Sequence, residues 1–322
     1  MTKGRVFVEL ALILSKQVLT MFILMAVGIV VVKAKLVEVS GVKNLTNVLL
    51  YLVSPSLLIS TYQTAFDSIK LKGLMIAFVF SVLSHVISIF MNRMLLRKGA
   101  IDKIGVEEFA TVYTNSGFIG IPLIEASFGS EGVFYCTAYL TVFNILMWTH
   151  GVYILKKGEK GCINVKSIFM NPGVIGCAVG FLLYVLQITL PEVVGTAVRY
   201  LGNMNTPLAL LISGILLANT DLKVLFKNKR LFYVSFLRII LTPLVVLGIF
   251  LLLRVENWHA NAGFIAVLCM ISTACPTGQA AGFFATRCGA DGEYGGQIMA
   301  LTTICCIVTL PLIASLAAAV LM

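Results

Sequence analysis

The sequence predicts an all-α polytopic membrane protein whose ten transmembrane helices form two inverted five-helix repeats, with helices 4 and 9 broken. Apolar runs of roughly 18 to 25 residues recur along the chain and are long enough to cross a hydrocarbon core of about 30 Å. Only 12% of the 322 residues are charged, whereas a soluble domain carries about 25%. Two short motifs also recur about half a chain apart, which is typical of a transporter built from internal repeats.

The apolar runs place the ten helices in order, and an even number puts both termini on one side of the membrane. The first run is full length, which is typical of a membrane span rather than of a cleaved signal peptide. The expected helices are Leu10–Val32, Lys43–Tyr62, Leu71–Leu96, Glu108–Phe128, Gly132–Leu155, Asn171–Leu190, Val198–Asn219, Leu231–Leu253, Asn261–Thr286 and Glu293–Leu321.

Lysine and arginine residues set the expected orientation. The connections after odd-numbered helices hold sixteen of them, from Lys33 to Arg287, whereas the opposite side holds six, among them Lys3 and Arg5. Because basic residues accumulate in cytoplasmic connections, this asymmetry predicts that both termini lie outside the cytoplasm. The net charge of +10 follows from this topology and does not indicate a nucleic-acid partner.

Two recurring motifs divide the chain into halves. "SPSLLIS" at 54–60 resembles "TPLALLIS" at 206–213, and "FGSEG" at 128–132 resembles "CGADG" at 288–292. Each half has five helices, an odd number, so the second must be inverted relative to the first. We therefore expect a first repeat at 1–155, a cytoplasmic connecting loop at 156–170 and a second, inverted repeat at 171–322.

Two of the expected helices contain residues that interrupt a helix at about mid-depth. Helix 4 contains Gly120 and Pro122, and helix 9 contains Pro276 and Gly278. Proline removes a backbone donor, and non-helical backbone at membrane depth persists only inside protein or along a watery cavity. Breaks in corresponding helices of two repeats indicate the substrate site of a transporter, although a single proline kink is an alternative at either position.

The candidate binding residues are those at the two breaks together with polar residues of neighbouring helices. Half-helix N-termini at the breaks favour carboxylates. Ser54 and Asn205 adjoin prolines that either bend their helices around the cavity or only pack, and Asn144 either bonds between helices or faces the cavity. The predicted set is Asn115, Ser116, Gly117, Gly120, Pro122, Cys275, Pro276, Thr277, Gly278, Gln279, Ser54, Asn205 and Asn144.

The titratable residues leave the driving force open. His85, midway along helix 3, is either a core histidine or a proton carrier, and Arg238 either attracts anions or anchors its helix at the interface. Glu125, Glu131, Asp291 and Glu293 lie near expected helix ends, and the chain is expected to lack buried acids. This disfavours a cation antiporter and leaves the membrane potential as a sufficient driving force. No metal or cofactor is expected, and cysteines such as Cys177 fall in apolar runs as small buried side chains.

Five segments together resemble the auxin efflux carrier family, which includes prokaryotic organic-acid transporters and the plant PIN-formed auxin carriers. They are "TNSGFIGIPL", "FGSEGVFY", "NPGVIGCAVGFLL", "NTPLALLISGILLA" and "CPTGQAAGFFATRCGAD". The resemblance covers nearly the whole chain. It implies that helices 4 and 9 cross at their breaks, with Asn115 and Pro122 at the first crossover and Pro276 at the second. It also implies a moving domain of helices 3–5 and 8–10 on a scaffold that often dimerises.

These observations together predict a membrane carrier rather than an enzyme or a channel. The expected activity is efflux of small organic anions, such as carboxylates or auxin-like acids, by alternating access at the breaks. The expected partners are the organic anion, the lipid bilayer of the cell membrane and a second copy of the chain. The alternative is a sodium-coupled symporter of the bile-acid type, which shares the architecture.

Overall fold

A computed structural model describes residues 3–37, 41–96, 103–158, 166, 169–218 and 222–322, with the backbone alone at 3–11 and 222–224. Within these residues the prediction of an all-helical protein is confirmed, because the extended pairing found there is one isolated bridge. Most of the expected connecting loop at 156–170 lies outside the described residues. So do Arg97, Lys98 and Lys160, which contributed to the charge count.

The first half of the chain contains seven α-helices among its described residues. In chain order they are α1 (Lys3–Lys33), α2 (Val42–Val48), α3 (Ser54–Thr61), α4 (Ser68–Leu95), α5 (Ile104–Val112), α6 (Ile121–Leu146) and α7 (Val152–Leu155). Asp67 begins α4 by accepting a hydrogen bond from the Ile69 N–H at 2.7 Å, as expected of an aspartate at a helix N-terminus.

The second half contains nine further α-helices among the described residues. They are α8 (Pro172–Val185), α9 (Glu192–Asn203), α10 (Asn205–Ala218), α11 (Leu222–Lys227), α12 (Lys229–Phe236), α13 (Thr242–Leu252), α14 (Ala262–Ala274), α15 (Ala280–Arg287) and α16 (Gly292–Leu321). Asn171 begins α8 in the same way as Asp67 begins α4, accepting from the Val174 N–H at 3.1 Å.

Prolines explain three of the π-helical turns that join these helices. The turns Leu49–Val53, Ser116–Gly120 and Leu237–Leu241 each end two residues before a proline. A proline ring clashes with the carbonyl of the preceding turn and removes a donor. The wider π turn relieves that clash and lets the chain continue as a helix.

Among the described residues, seven helical segments are long and apolar enough to cross a membrane, while Pro172–Val185 and Ala262–Ala274 are shorter apolar helices. The expected helices 4 and 5 are joined in one segment, Ser116–Leu155, which turns at Gly129 with φ +67°. The prediction of a multi-pass membrane protein is confirmed, and the count of ten spans stays a prediction.

Large apolar side chains cover the outside of the helices. Leu19, Val30, Phe90 and Val308 are 60%, 61%, 69% and 62% exposed. A water-soluble monomer rarely exposes apolar surface this extensively. This surface is therefore suited to contact lipid.

Helices α1 and α10 approach each other closely at two glycines. A methyl group at Gly28 would lie 2.3 Å from the carbonyl oxygen of Leu211, and one at Gly214 would lie 1.9 Å from that of Met25. Helices α3, α8 and α9 also pack together, whereas α4, α6, α14 and α16 form a second group. Tyr62, directly after α3, joins the groups through a 2.6 Å hydrogen bond between its hydroxyl and that of Thr137.

We expect Gly214→Ala to destabilise the protein, because the added methyl group can be accommodated only if α1 and α10 separate. Overpacking of this kind costs about 1–3 kcal/mol or more. The measurement is the midpoint of thermal unfolding in detergent. Gly248→Ala is the matched control, since its added methyl group would meet no described atom within 4 Å beyond its chain neighbours and its own helix backbone, and alanine favours the helix. An unchanged midpoint for Gly214→Ala would contradict the packing described for α1 and α10.

Candidate functional site

The two broken helices meet at their breaks. The backbone N–H of Asn115 donates to the carbonyl of Pro276 at 2.8 Å, and the N–H of Gly278 donates to the carbonyl of Tyr113 at 3.0 Å. These bonds flank an antiparallel bridge between Thr114 and Thr277. Residues 113–115 and 276–278 are called the crossover below. Residues about half a chain apart are thus hydrogen-bonded to each other.

Local sequence explains why each helix stops at the crossover. The residue before a proline is driven out of helical conformation, and Cys275 accordingly ends α14 with φ −57° and ψ 150°. Tyr113 ends α5 with φ −93° and ψ 111°. At Gly278 a methyl group would lie 2.9 Å from the carbonyl oxygen of Thr114, so this position requires glycine for the two backbones to approach.

Arg238 joins both sides of the crossover from inside the protein. Its side chain is fully buried, and its guanidinium donates to the carbonyls of Thr111 at 3.1 Å, Cys275 at 2.8 Å and Thr273. These carbonyls lie at the C-terminal ends of α5 and α14, where helix carbonyls lack partners and carry partial negative charge. Arg238 therefore neutralises two helix ends and does not extend to the membrane interface.

The hydroxyl of Thr277 also connects the two breaks. It donates to the carbonyl of Ala110 in α5 at 2.8 Å, while its backbone N–H donates to the hydroxyl of Thr302 in α16 at 3.1 Å. Gly120 lies against the same region, because a methyl group there would be 3.1 Å from the sulfur of Cys275. Backbone and side chains thus hold the crossover in one geometry.

Polar groups without protein partners lie where the second half-helices begin. The amide nitrogen of the Asn115 side chain and the hydroxyl of Ser116 are buried and have no hydrogen-bond partner among the described residues. Asn115 precedes the turn Ser116–Gly120, and Ser116 begins it. The turn contains Gly117 and leads into α6, whose second residue is Pro122. The Ser116 backbone N–H donates to the Thr114 hydroxyl at 3.3 Å, so the unused donors are those two side-chain groups. This part of the crossover therefore offers unused donors.

The neighbouring helix α10 closes this region on one side. The amide of Gln279 donates to the hydroxyl of Ser213 at 2.6 Å, and the turn Ser116–Gly120 packs against α10. On the same helix, Asn205 accepts from the Ser54 hydroxyl at 3.1 Å, and its own amide nitrogen has no partner among the described residues. Ser54 and Asn205 thus contact each other rather than the crossover residues.

Two further predicted residues lie apart from the crossover. Asn144 donates from its amide to the carbonyl of Leu140 at 2.8 Å and faces Gly173 at the start of α8. His85 is buried, with its Nδ1 atom 2.7 Å from the carbonyl of Ser81. Its ring lies 4.7 Å from that of Tyr139, so a side chain separates the imidazole from the crossover.

The crossover is closed to solvent in this conformation. Asn115 is 4% exposed and Ser116 is fully buried. A cavity of about 650 Å³ opens elsewhere, where Lys103, Lys156 and Arg287 lie at the ends of helices. Any solute at the crossover must therefore enter after the helices have moved.

The expectation that the chain lacks buried acids was wrong, because Glu107 and Glu108, at the start of expected helix 4, are both buried. They are 1% and 7% exposed. The Glu107 carboxylate accepts from Arg230 at 2.6 and 2.9 Å and from the Tyr294 hydroxyl at 2.9 Å. These bonds link α5, α12 and α16, and the ion pair supplies the compensation that burial of a carboxylate requires.

Comparison with known proteins agrees with this architecture. Residues 13–314 match the model of a family described as "Membrane transport protein", so the chain belongs to this auxin efflux carrier-like family of membrane transport proteins. An uncharacterized transporter of Methanothermobacter thermautotrophicus (strain Delta H) is 24% identical over 305 residues, which cover 92% of this chain and 96% of that protein. The predicted membership of the auxin efflux carrier-like family of membrane transport proteins is confirmed.

Proposed function

We propose that the protein is a carrier of small organic anions and that the anion binds at the crossover. The observation that carries this proposal is the group of unused donors beside Asn115 and Ser116, at the N-terminal end of a half-helix. Helix N-termini favour anions, and carboxylates accept strong hydrogen bonds from amides and hydroxyls. Arg238 adds a positive charge on the opposite side of the same backbone segments.

The proposal includes ten membrane spans in two inverted repeats. Gly129 and Gly289 occupy equivalent positions of the recurring motif and share a left-handed backbone, with φ +67° and +75°. Hydrogen bonds also join residues about half a chain apart, as in the pair Ser54 and Asn205 and in the pair Asn92 and Thr242 at 3.2 Å. Such pairs are expected along the pseudo-two-fold axis of an inverted repeat.

Under this proposal one group of helices moves relative to the other. Helices α4, α6, α14 and α16 belong to the moving domain, and α1, α3, α8, α9 and α10 form a scaffold that pairs with a second copy. Both termini lie outside the cytoplasm. The bond between Gln279 and Ser213 crosses from the moving domain to the scaffold and breaks when the crossover opens.

The membrane potential is sufficient to drive export of a monoanion. An inside-negative potential of 100 mV favours exit of one negative charge by about 2.3 kcal/mol. The runner-up is the bile-acid type of sodium symporter. It is less favoured, because carbonyls at the ends of the broken helices, which are suitable sodium ligands, already accept from Arg238.

The test is efflux from liposomes that contain the purified protein. The liposomes are loaded with labelled mono- and dicarboxylates, and a potassium-diffusion potential is imposed with and without sodium. We expect sodium-independent efflux of at least one carboxylate that accelerates when the inside is negative. Flux that requires sodium would favour the symporter, and no flux of any carboxylate by folded protein would contradict the substrate class.

A further inference from the structure

A second buried acid, Glu108, faces a histidine near the crossover. The Glu108 carboxylate oxygen Oε1 lies 3.8 Å from the Nε2 atom of His150, and their side chains are only 9% and 19% exposed. Neither atom has a hydrogen-bond partner among the described residues. Both groups can gain or lose a proton, and each has an atom for which the described protein supplies no hydrogen bond.

The hydrogen bonds of Tyr113 determine which imidazole nitrogen carries a proton. The Tyr113 hydroxyl donates to the carbonyl of Leu146 at 2.8 Å and lies 2.9 Å from His150 Nδ1. Because the hydroxyl has a single hydrogen, its oxygen must accept from the Nδ1–H group of His150. In the neutral imidazole the Nε2 atom is therefore a bare acceptor that faces the Glu108 carboxylate.

His150 Nε2 and the Glu108 carboxylate are both hydrogen-bond acceptors, so one proton can bind between them. A proton at Nε2 converts the contact into an imidazolium–carboxylate ion pair with a charge-assisted hydrogen bond. Without it, the Glu108 charge is buried and lacks a partner in hydrogen-bond contact, which is unfavourable.

The other charged groups around the pair are already engaged or more distant. Arg93 of α4 faces both Glu108 and His150 and acts on them through space. Arg230 of α12 and Tyr294 of α16 bond to Glu107. Among other cations on adjacent described segments, Arg287 lies 5.5 Å from the Trp148 ring, Arg238 bonds to the crossover carbonyls, and Lys103 pairs with Asp291 at 3.2 Å, whereas Lys156 follows α7.

Tyr113 connects this pair to the crossover. Its hydroxyl accepts from His150, and its backbone carbonyl accepts from Gly278 across the bridge. A change of charge at His150 therefore acts on a residue that forms part of the crossover itself.

We propose that His150 and Glu108 form a proton-binding site that couples the crossover to pH. One proton from solvent binds at His150 Nε2, Glu108 is its counterion, and Tyr113 transmits the change to the crossover. The effect on transport rests on the proposed function, whereas the binding of the proton does not.

The direct test is nuclear magnetic resonance of the protein with isotope-labelled histidine in nanodiscs, with His150 assigned from the variant His150→Gln. We expect the His150 imidazole to gain a proton as the pH is lowered. In Glu108→Gln its midpoint should fall by about one pH unit or more, a tenfold weaker proton affinity. Glu293→Gln, which changes an exposed acid, is the control and should leave the midpoint unchanged. A neutral His150 throughout, or the same midpoint in Glu108→Gln, would overturn the proposal.

Transport provides a second, separable readout. With the potential clamped at zero, an imposed pH gradient should change anion flux in the wild type and not in His150→Gln, while flux driven by the potential persists in both. An equal response to the gradient in both proteins would overturn the coupling. If His150 titrates as expected but no anion is carried, the proton site stands and the proposed substrate class fails.

Discussion

Arg238→Met is expected to abolish transport and to lower the midpoint of thermal unfolding. The substitution retains an apolar stem of similar length but removes the donors to the carbonyls of Thr111, Thr273 and Cys275. Each buried carbonyl left without a partner costs about 1–3 kcal/mol. The negative ends of α5 and α14 would then face each other without a cation. A loss of about 1.4 kcal/mol already reduces the population of the intact crossover tenfold.

Arg238→Lys separates charge from geometry at this position. Lysine keeps the positive charge but lacks the planar fork that reaches both helix ends at once. We therefore expect stability and flux between those of the wild type and of Arg238→Met. Arg199→Met, which replaces an exposed arginine of α9, is the control and should resemble the wild type. Wild-type flux and unfolding in Arg238→Met would show that the crossover does not depend on the guanidinium.

Gly278→Ala is expected to disrupt the crossover itself. The new methyl group would lie 2.9 Å from the Thr114 carbonyl oxygen, and that atom is backbone that cannot rotate away. The two backbone segments must separate, which weakens the bonds from Asn115 to Pro276 and from Gly278 to Tyr113. We expect loss of carboxylate efflux from liposomes together with a lower unfolding midpoint.

The control for Gly278→Ala is Gly296→Ala in α16, where the added methyl group would meet no described atom within 4 Å beyond its chain neighbours and its own helix backbone. Alanine favours the helix by about 1 kcal/mol over glycine, so this variant should be as stable as the wild type or more stable. If Gly278→Ala carried anions at the wild-type rate, the close approach of the two backbones would not be needed for function.

Much of the architecture could be predicted because it depends on local sequence. Apolar runs predicted where the helices lie, because backbone in lipid must form its hydrogen bonds within its own segment. Pro122 and Pro276 predicted where two helices are interrupted, because each proline removes a donor from its own helix. The left-handed turns at Gly129 and Gly289 likewise fall in the motif that predicted the repeat.

The partners of buried charges could not be predicted in the same way. Arg238 bonds to carbonyls of residues 35 and 127 positions away, and no local pattern indicates which backbone a long side chain will reach. Glu107 was missed because its partners, Arg230 and Tyr294, lie 123 and 187 positions away in sequence. The sequence did offer one signal, the adjacent acids Glu107 and Glu108. A pair of acids in an apolar helix must face either a partner or water.

The flux of Asn115→Ala, compared with Asn144→Ala, tests most directly whether the anion binds at the crossover. The Asn115 amide nitrogen has no partner among the described residues, so removal of the side chain should leave the unfolding midpoint unchanged. It should cost the bound anion about 1.5–3 kcal/mol, roughly a ten- to hundredfold loss of apparent affinity. Asn144→Ala, which removes an amide bonded within its own helix, should carry the anion like the wild type. Equal affinity in Asn115→Ala and the wild type would place the anion elsewhere and contradict the account.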